Sequence, residues 1–279
     1  MAAKLPLKGK TAFVTAGADG IGTASAAALL RDGATVLLMG RRRDALEHSR
    51  QQLRAQVPDA NVHICAGDAG RAGDMQAALK QAWWLQSRLD IVVPTLSSAG
   101  TRPLLTHDEA SLRNALELHV VSAFTAIRLA APWMARQGGG SIVCIASNTA
   151  RADFKRLSAH CAASACLDGL VRAAAEELSS AGIRVNAVRA DLTQANTTVP
   201  TFSASAVRMP PGRPDTPEDI ATAVRYLAGP ESARVTGQSL AVDGIRALRQ
   251  RPEPGGAARR RYGKVVRPGL DNAHLISSL

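Results

Sequence analysis

Three groups of residues in this sequence are of types that can do chemistry. The first handles protons: Ser147 closes the apolar run "SIVCIAS", His160 lies in "LSAHCAASACLDGL", His119 in "LELHVVSAF" and Asp191 in "RADLTQANT". A histidine, with an ordinary pKa of about 6.5, reaches both protonation states near neutrality without help from a neighbouring charge. A serine hydroxyl can orient a substrate oxygen, and a carboxylate can add a second base. Opposed acid and base groups of this kind suit dehydration, isomerisation, epimerisation or cyclisation. The second group is the glycine-rich stretch "TAGADGIG", Thr15–Gly22. The third is a run of guanidiniums, Arg41, Arg42 and Arg43.

These groups matter only if the fold brings them together, so the elements come next. Apolar, β-branched runs recur at 11–16, 34–40, 61–66, 90–95, 141–147, 183–188 and 239–244. Between them lie alanine-rich segments with helical spacing, at 20–32, 42–56, 71–88, 107–136, 155–181 and 216–228. Strands alternating with helices pair in parallel through right-handed crossovers. The pattern predicts an α/β fold: one Rossmann-type, doubly wound parallel sheet of about seven strands, with helices on both faces. In such a sheet ligands bind beyond the carboxyl ends of the strands, where all three groups fall.

The glycine stretch joins the first strand to the first helix. Gly17, Gly20 and Gly22, with Asp19 and Ile21 between them, allow a tight turn and the close approach of a pyrophosphate to a helix N-terminus. After the second strand an acidic residue would hydrogen-bond a ribose 2′-hydroxyl. Arg41 and Arg42 stand there instead, and guanidiniums suit a 2′-phosphate, so NADP(H) is the expected cofactor. Asp68, with Ala69 after it, ends the third strand and could accept from an adenine amine.

On these motifs, together with "GSIVCIAS", "GIRVNAV", "GRPDTPEDIATAVRYLAG" and "VTGQSLAVDG", the sequence resembles the short-chain dehydrogenase/reductase family over roughly residues 7 to 244. The resemblance implies a nicotinamide cofactor and association into homodimers or homotetramers through the helices at 107–136 and 155–181. It makes "SSAG", including Ser98, Ala99 and Gly100, the counterpart of a cofactor-binding loop. It also implies a catalytic serine, a tyrosine thirteen positions on and a lysine four further. Ser147 matches the serine, but the next two positions hold His160 and Ser164. His119 falls where the family has an asparagine, and Asp191 where it has the glycine of a Pro-Gly pair. The adenosine side keeps its markers, whereas the nicotinamide side has changed at nearly every one.

Composition narrows the classes further. Hydrophobic residues make up 46% of 279, ample for a core, and no run of eighteen apolar residues suggests a membrane span. The start "MAAKLPLKGK" has no signal-peptide core, so a cytoplasmic location is expected. From Ile245 onward eight basic and two acidic residues carry +6 of the net +11, leaving a weakly basic body that is no nucleic-acid signature. Expected domains are therefore residues 1–246, with a substrate-loop region at about 192–216, and a basic Pro/Gly/Arg-rich extension at 247–279. The four cysteines show no metal or disulfide spacing, and His48, His63, His107 and His274 read as packing or surface residues, so no metal site is expected.

Three functions are compatible with this pattern. The first is non-redox acid–base chemistry on a small molecule by His160 with Ser147, assisted by His119 and Asp191, the cofactor not being consumed. The second is an NADP(H)-dependent ketone/alcohol oxidoreductase with His160 as proton donor. The third is a catalytically inactive protein that binds NADP(H).

Overall fold

In the computed structural model the described residues are 5–18, 20–95, 104–150, 157–190, 213 and 215–244. The chain divides into the units Met1–Ala247 and Leu248–Leu279, and every described residue belongs to the first.

Seven strands form one sheet: β1 (Thr11–Val14), β2 (Thr35–Gly40), β3 (Val62–Ala66), β4 (Ile91–Val93), β5 (Gly140–Ser147), β6 (Ile183–Ala190) and β7 (Ser239–Val242). Their order is β3-β2-β1-β4-β5-β6-β7, and every pairing is parallel. Each expected apolar run became a strand. The run at 90–95 gave only three strand residues, and β1 and β7 have four each. The order reverses between β1 and β4. The crevice beyond their carboxyl ends is therefore the topological switch point of the sheet.

The helices are α1 (Gly20–Arg31), α2 (Arg43–Gln56), α3 (Ala72–Gln86), α4 (Glu109–Leu116), α5 (Ser122–Arg136), α6 (Ser158–Leu178) and α7 (Pro217–Ala228). Two apolar layers sandwich the sheet. One joins Phe13, Leu37 and Cys144 to residues of α3, α5 and α6, and the other joins Val14, Leu38 and Val188 to residues of α1, α2 and α7. Parallel strands buried on both faces explain the unbroken apolar runs.

The expected helix at 107–136 is not uniform. A π turn, Glu117–Val121, separates α4 from α5, and His119 sits on it. The run Glu109–Arg136 has the length and apolarity of a membrane span, yet half of its most apolar window is buried inside the protein. Packing against the sheet accounts for that apolarity.

At the amino ends of β1 and β4, opposite the crevice, Asp90 takes hydrogen bonds from Lys10, Arg88 and the Thr11 amide. Burial alone would raise its pKa, but these partners outweigh burial and hold the carboxyl below its ordinary value.

Candidate functional site

The glycine turn is built by steric necessity. A Cβ on Gly22 would stand 2.3 Å from the Ala16 carbonyl oxygen, and one on Gly17 would stand 2.7 Å from Leu38 Cβ. The Gly17 amide donates to the Met39 carbonyl at 2.9 Å, and the Thr23 hydroxyl to the Gly17 carbonyl at 3.0 Å. Ala16 takes a left-handed conformation, with φ +48°. That conformation is costly for a residue with a Cβ. Gly20, Ile21 and Gly22 open α1, so its free amides face the crevice, as an anion requires. Asp19 lies outside the described residues.

Arg41, Arg42 and Arg43 are exposed at the carboxyl end of β2, and none has an ion-pair partner among the described residues. Arg42 is the N-cap of α2 and makes no side-chain cap. The first-turn amides of α2 are thus not capped by that side chain, beside three guanidiniums. Asp68 is already engaged, since its Oδ1 accepts from the Gly70 amide at 2.9 Å. Ala69 is buried in the core, so its part in a dinucleotide site would come from its backbone. These positions fit a phosphate-bearing dinucleotide: Gly17 and Gly22 leave the turn close to the strand end, the first amides of α1 face the crevice, and the rim is cationic.

Of the proton-handling residues, His119 and His160 meet, while Ser147 ends β5 and is linked to α6 through Thr149. Ser147 ends that strand, half-buried, and its Oγ accepts from the Thr149 amide at 3.3 Å. His160 lies in the first turn of α6, half-buried, while His119 is 2% exposed. Their rings meet edge to face, with centroids 4.7 Å apart and planes at 82°. Small residues make this contact possible. Ala115, Ala159 and Ala163 pack together with Leu116 and Val120, drawing α6 against the π turn. The π turn in turn re-aims His119 relative to a regular helix.

Ser164 faces the core. It is fully buried, and its Oγ is 3.2 Å from the Thr149 hydroxyl, which donates to it. Thr149 thus links strand end and helix, a role invisible in the sequence because its partner is fifteen residues away. Asn148, next to Ser147 in the stretch "IASNTA" at the strand end, is 2% exposed. Asp191, Ser98, Ala99, Gly100 and residues 192–212 and 214 of the loop region lie outside the described residues. Among the cysteines, Cys144 is a core residue whose thiol burial pushes up to about 12, which makes it chemically inert.

A seven-stranded parallel sheet with a glycine-bounded turn at its switch point defines a Rossmann-type α/β protein. The family model described as enoyl-(acyl carrier protein) reductase matches residues 15–244. The chain belongs to the short-chain dehydrogenase/reductase family. It is 29% identical over 243 residues to a 3alpha-hydroxysteroid dehydrogenase of Mediterraneibacter gnavus, covering 85% of this chain and 97% of that one. It is 31% identical over 245 residues to the 7alpha-hydroxysteroid dehydrogenase of Escherichia coli, covering 86% and 95%. The solved structure of a 7 alpha-hydroxysteroid dehydrogenase complexed with NADH and 7-oxo glycochenodeoxycholic acid superposes with a TM-score of 0.81. Identity there is 28%, over 86% of this chain and 95% of that one.

Proposed function

We propose that this protein is an NADP(H)-dependent oxidoreductase of a secondary alcohol or ketone, with His160 as its proton donor and acceptor. The observation that carries the reading is the edge-to-face pair of His119 and His160. On the family resemblance, His160 and Ser164 replace a tyrosine and a lysine. A tyrosine near pKa 10 needs a cation to work at neutral pH, whereas an imidazole does not. His160 would therefore hold the proton at the substrate oxygen, Ser147 would hydrogen-bond the same oxygen, and His119 would fix the His160 ring. Gly17, Gly20, Gly22 and the α1 amides would hold the pyrophosphate, with Arg41 and Arg42 on the 2′-phosphate. The nicotinamide, when bound, supplies or accepts the hydride. The relatives named above, both hydroxysteroid dehydrogenases, support redox chemistry over the non-redox alternative.

One observation favours that alternative. Ser164 is bonded to Thr149 and offers no ammonium to grip a nicotinamide ribose. Acid–base chemistry without hydride transfer would not need one. Loss of absorbance at 340 nm with NADPH and a panel of ketones, bile-acid ketones included, decides between them. In the redox reading, His160→Phe lowers turnover by about 10²–10⁴-fold while leaving the unfolding temperature in place. Turnover that consumes no NADPH would turn the assignment to the non-redox chemistry, and unchanged turnover in His160→Phe would end both.

We also propose that the chain forms a homodimer or homotetramer. Val121 and Phe124 at the start of α5 and Leu112 on α4 are exposed large apolar side chains along one helical run. Light scattering showing only monomers at micromolar concentration would dismiss this.

A further inference from the structure

A trough apart from the Ser147–His160 cluster runs along the flank of α1, between α2 and α7, and encloses about 620 Å³. That is the size of a small-molecule site. Its floor is methyl surface: Ala24, Ala27 and Ala28 of α1, Ala45 of α2 and Ala221 of α7. On the α2 side His48, Gln52 and Gln56 line it. A four-residue spacing puts these side chains on one helical face, forming a row of hydrogen-bonding groups beside the floor.

The two ends differ in charge. Because α1 and α2 both return antiparallel to the strands, their amino ends share one end of the trough and their carboxyl ends the other. Asp44 and Glu218 line the first end, next to Arg42. Arg31 and Gln56 line the other, eleven residues along α1 or about 16 Å away. Arg31 has no ion-pair partner among the described residues. The neighbouring acid, Asp32, is held by Arg225, which also binds Glu231 at 2.8 Å. The guanidinium of Arg31 thus has no carboxylate partner among the described residues and lies beside an apolar floor.

We propose that this trough binds an elongated organic acid. Its carboxylate lies on the Arg31 guanidinium with the Gln52 and Gln56 amides, its apolar body on the alanine floor, and a terminal hydroxyl against Asp44 and Glu218. A guanidinium matches a carboxylate in charge and in its two-pronged geometry. The trough shares Gly20 and Arg42 of its rim with the proposed dinucleotide site, but none of the contacts proposed for the acid uses them or Ser147, His119 or His160, so the inference does not depend on the redox assignment.

Isothermal titration of the full chain with 10-hydroxydecanoate tests it, since that probe carries a carboxylate and a hydroxyl at the two ends of an apolar chain. The expected result is one saturable site, with 1,10-decanediol binding at least about tenfold more weakly. Arg31→Gln, a change on an exposed side chain, weakens the acid by a similar factor. Ala28→Phe fills the floor and abolishes binding. His160→Phe leaves binding unchanged. Equal affinity in the wild type and Arg31→Gln, or no saturation at millimolar probe, overturns the proposal. Loss in His160→Phe with retention in Arg31→Gln places the acid in the other cleft and overturns it too. Either failure leaves the NADPH assay untouched.

Discussion

The phosphate turn after β1 and the histidine cluster after β5 sit at the same edge of one sheet, but they are held by different forces. At the turn the constraint is backbone against backbone. Gly22 has no space for a Cβ, and the Gly17 amide is tied to β2. At the cluster the constraint runs through side chains: the His119 ring on the His160 ring, the Thr149 hydroxyl on Ser164, and the Ser147 hydroxyl on the Thr149 amide. A backbone constraint punishes nearly every substitution, whereas a side-chain constraint can be satisfied by another compatible set. This contrast gives a physical reason why the glycine spacing of the first region tolerates less change than the side-chain set of the second. It also means that the glycines are needed for folding whether or not a dinucleotide binds. The arginines beyond β2, which have no ion-pair partner among the described residues, are therefore the better place to test for a 2′-phosphate.

The contrast can be broken most directly at Gly22. Gly22→Ala is expected to cost about 3 kcal/mol, at the upper end of overpacking effects, and to lower the unfolding temperature by many degrees. A Gly22→Ala protein as stable as the wild type would mean that the turn is not sterically fixed.

Asp90, at the far edge of the sheet, serves as a control remote from both regions. Its pKa is depressed on folding, so its contribution is complete above the unfolded value near 3.8 and fades as pH falls through the lower folded value. Asp90→Asn should therefore destabilise by about 1–2 kcal/mol at pH 7, the half-exposed partners Lys10 and Arg88 being partly screened. Denaturant midpoints of the two proteins should converge below pH 3.8. A gap that stays constant down to pH 2.5 or so would contradict the ion-pair account.

A double change of Arg41 and Arg42 to Gln sharpens the comparison at the level of ligand. It should raise the Kd for NADPH by about tenfold, or 1.4 kcal/mol, and leave NADH unaffected. Equal effects on both cofactors would remove the 2′-phosphate assignment. The smallest effect is expected at Ala16. Ala16→Gly relieves a left-handed alanine and should stabilise by roughly 0.5–1 kcal/mol, read as a rise of a few degrees in unfolding temperature.

Much of this architecture was legible beforehand. Seven apolar runs became seven parallel strands because strands buried on both faces need uninterrupted apolar sequence. The glycine turn was legible because glycine spacing between strand and helix records a steric demand made by near neighbours. The π turn was not legible: the apolar periodicity at 107–136 reads as one helix, and a single extra residue in a turn hardly disturbs it. The stretch "IASNTA" after β5 was legible as a place for functional residues, but the bond from Thr149 to Ser164 was not, because it joins parts of the chain fifteen residues apart.

The sequence by itself determined the sheet, the glycine turn and the arginine rim, since each depends on residues within one strand–helix unit. Only the tertiary structure decided that His119 and His160 touch, that Ser164 turns inward to Thr149, and that alanines on three helices form a trough ending at Arg31. Those outcomes depend on how closely separate helices approach, and small side chains set that distance through packing that no local pattern records.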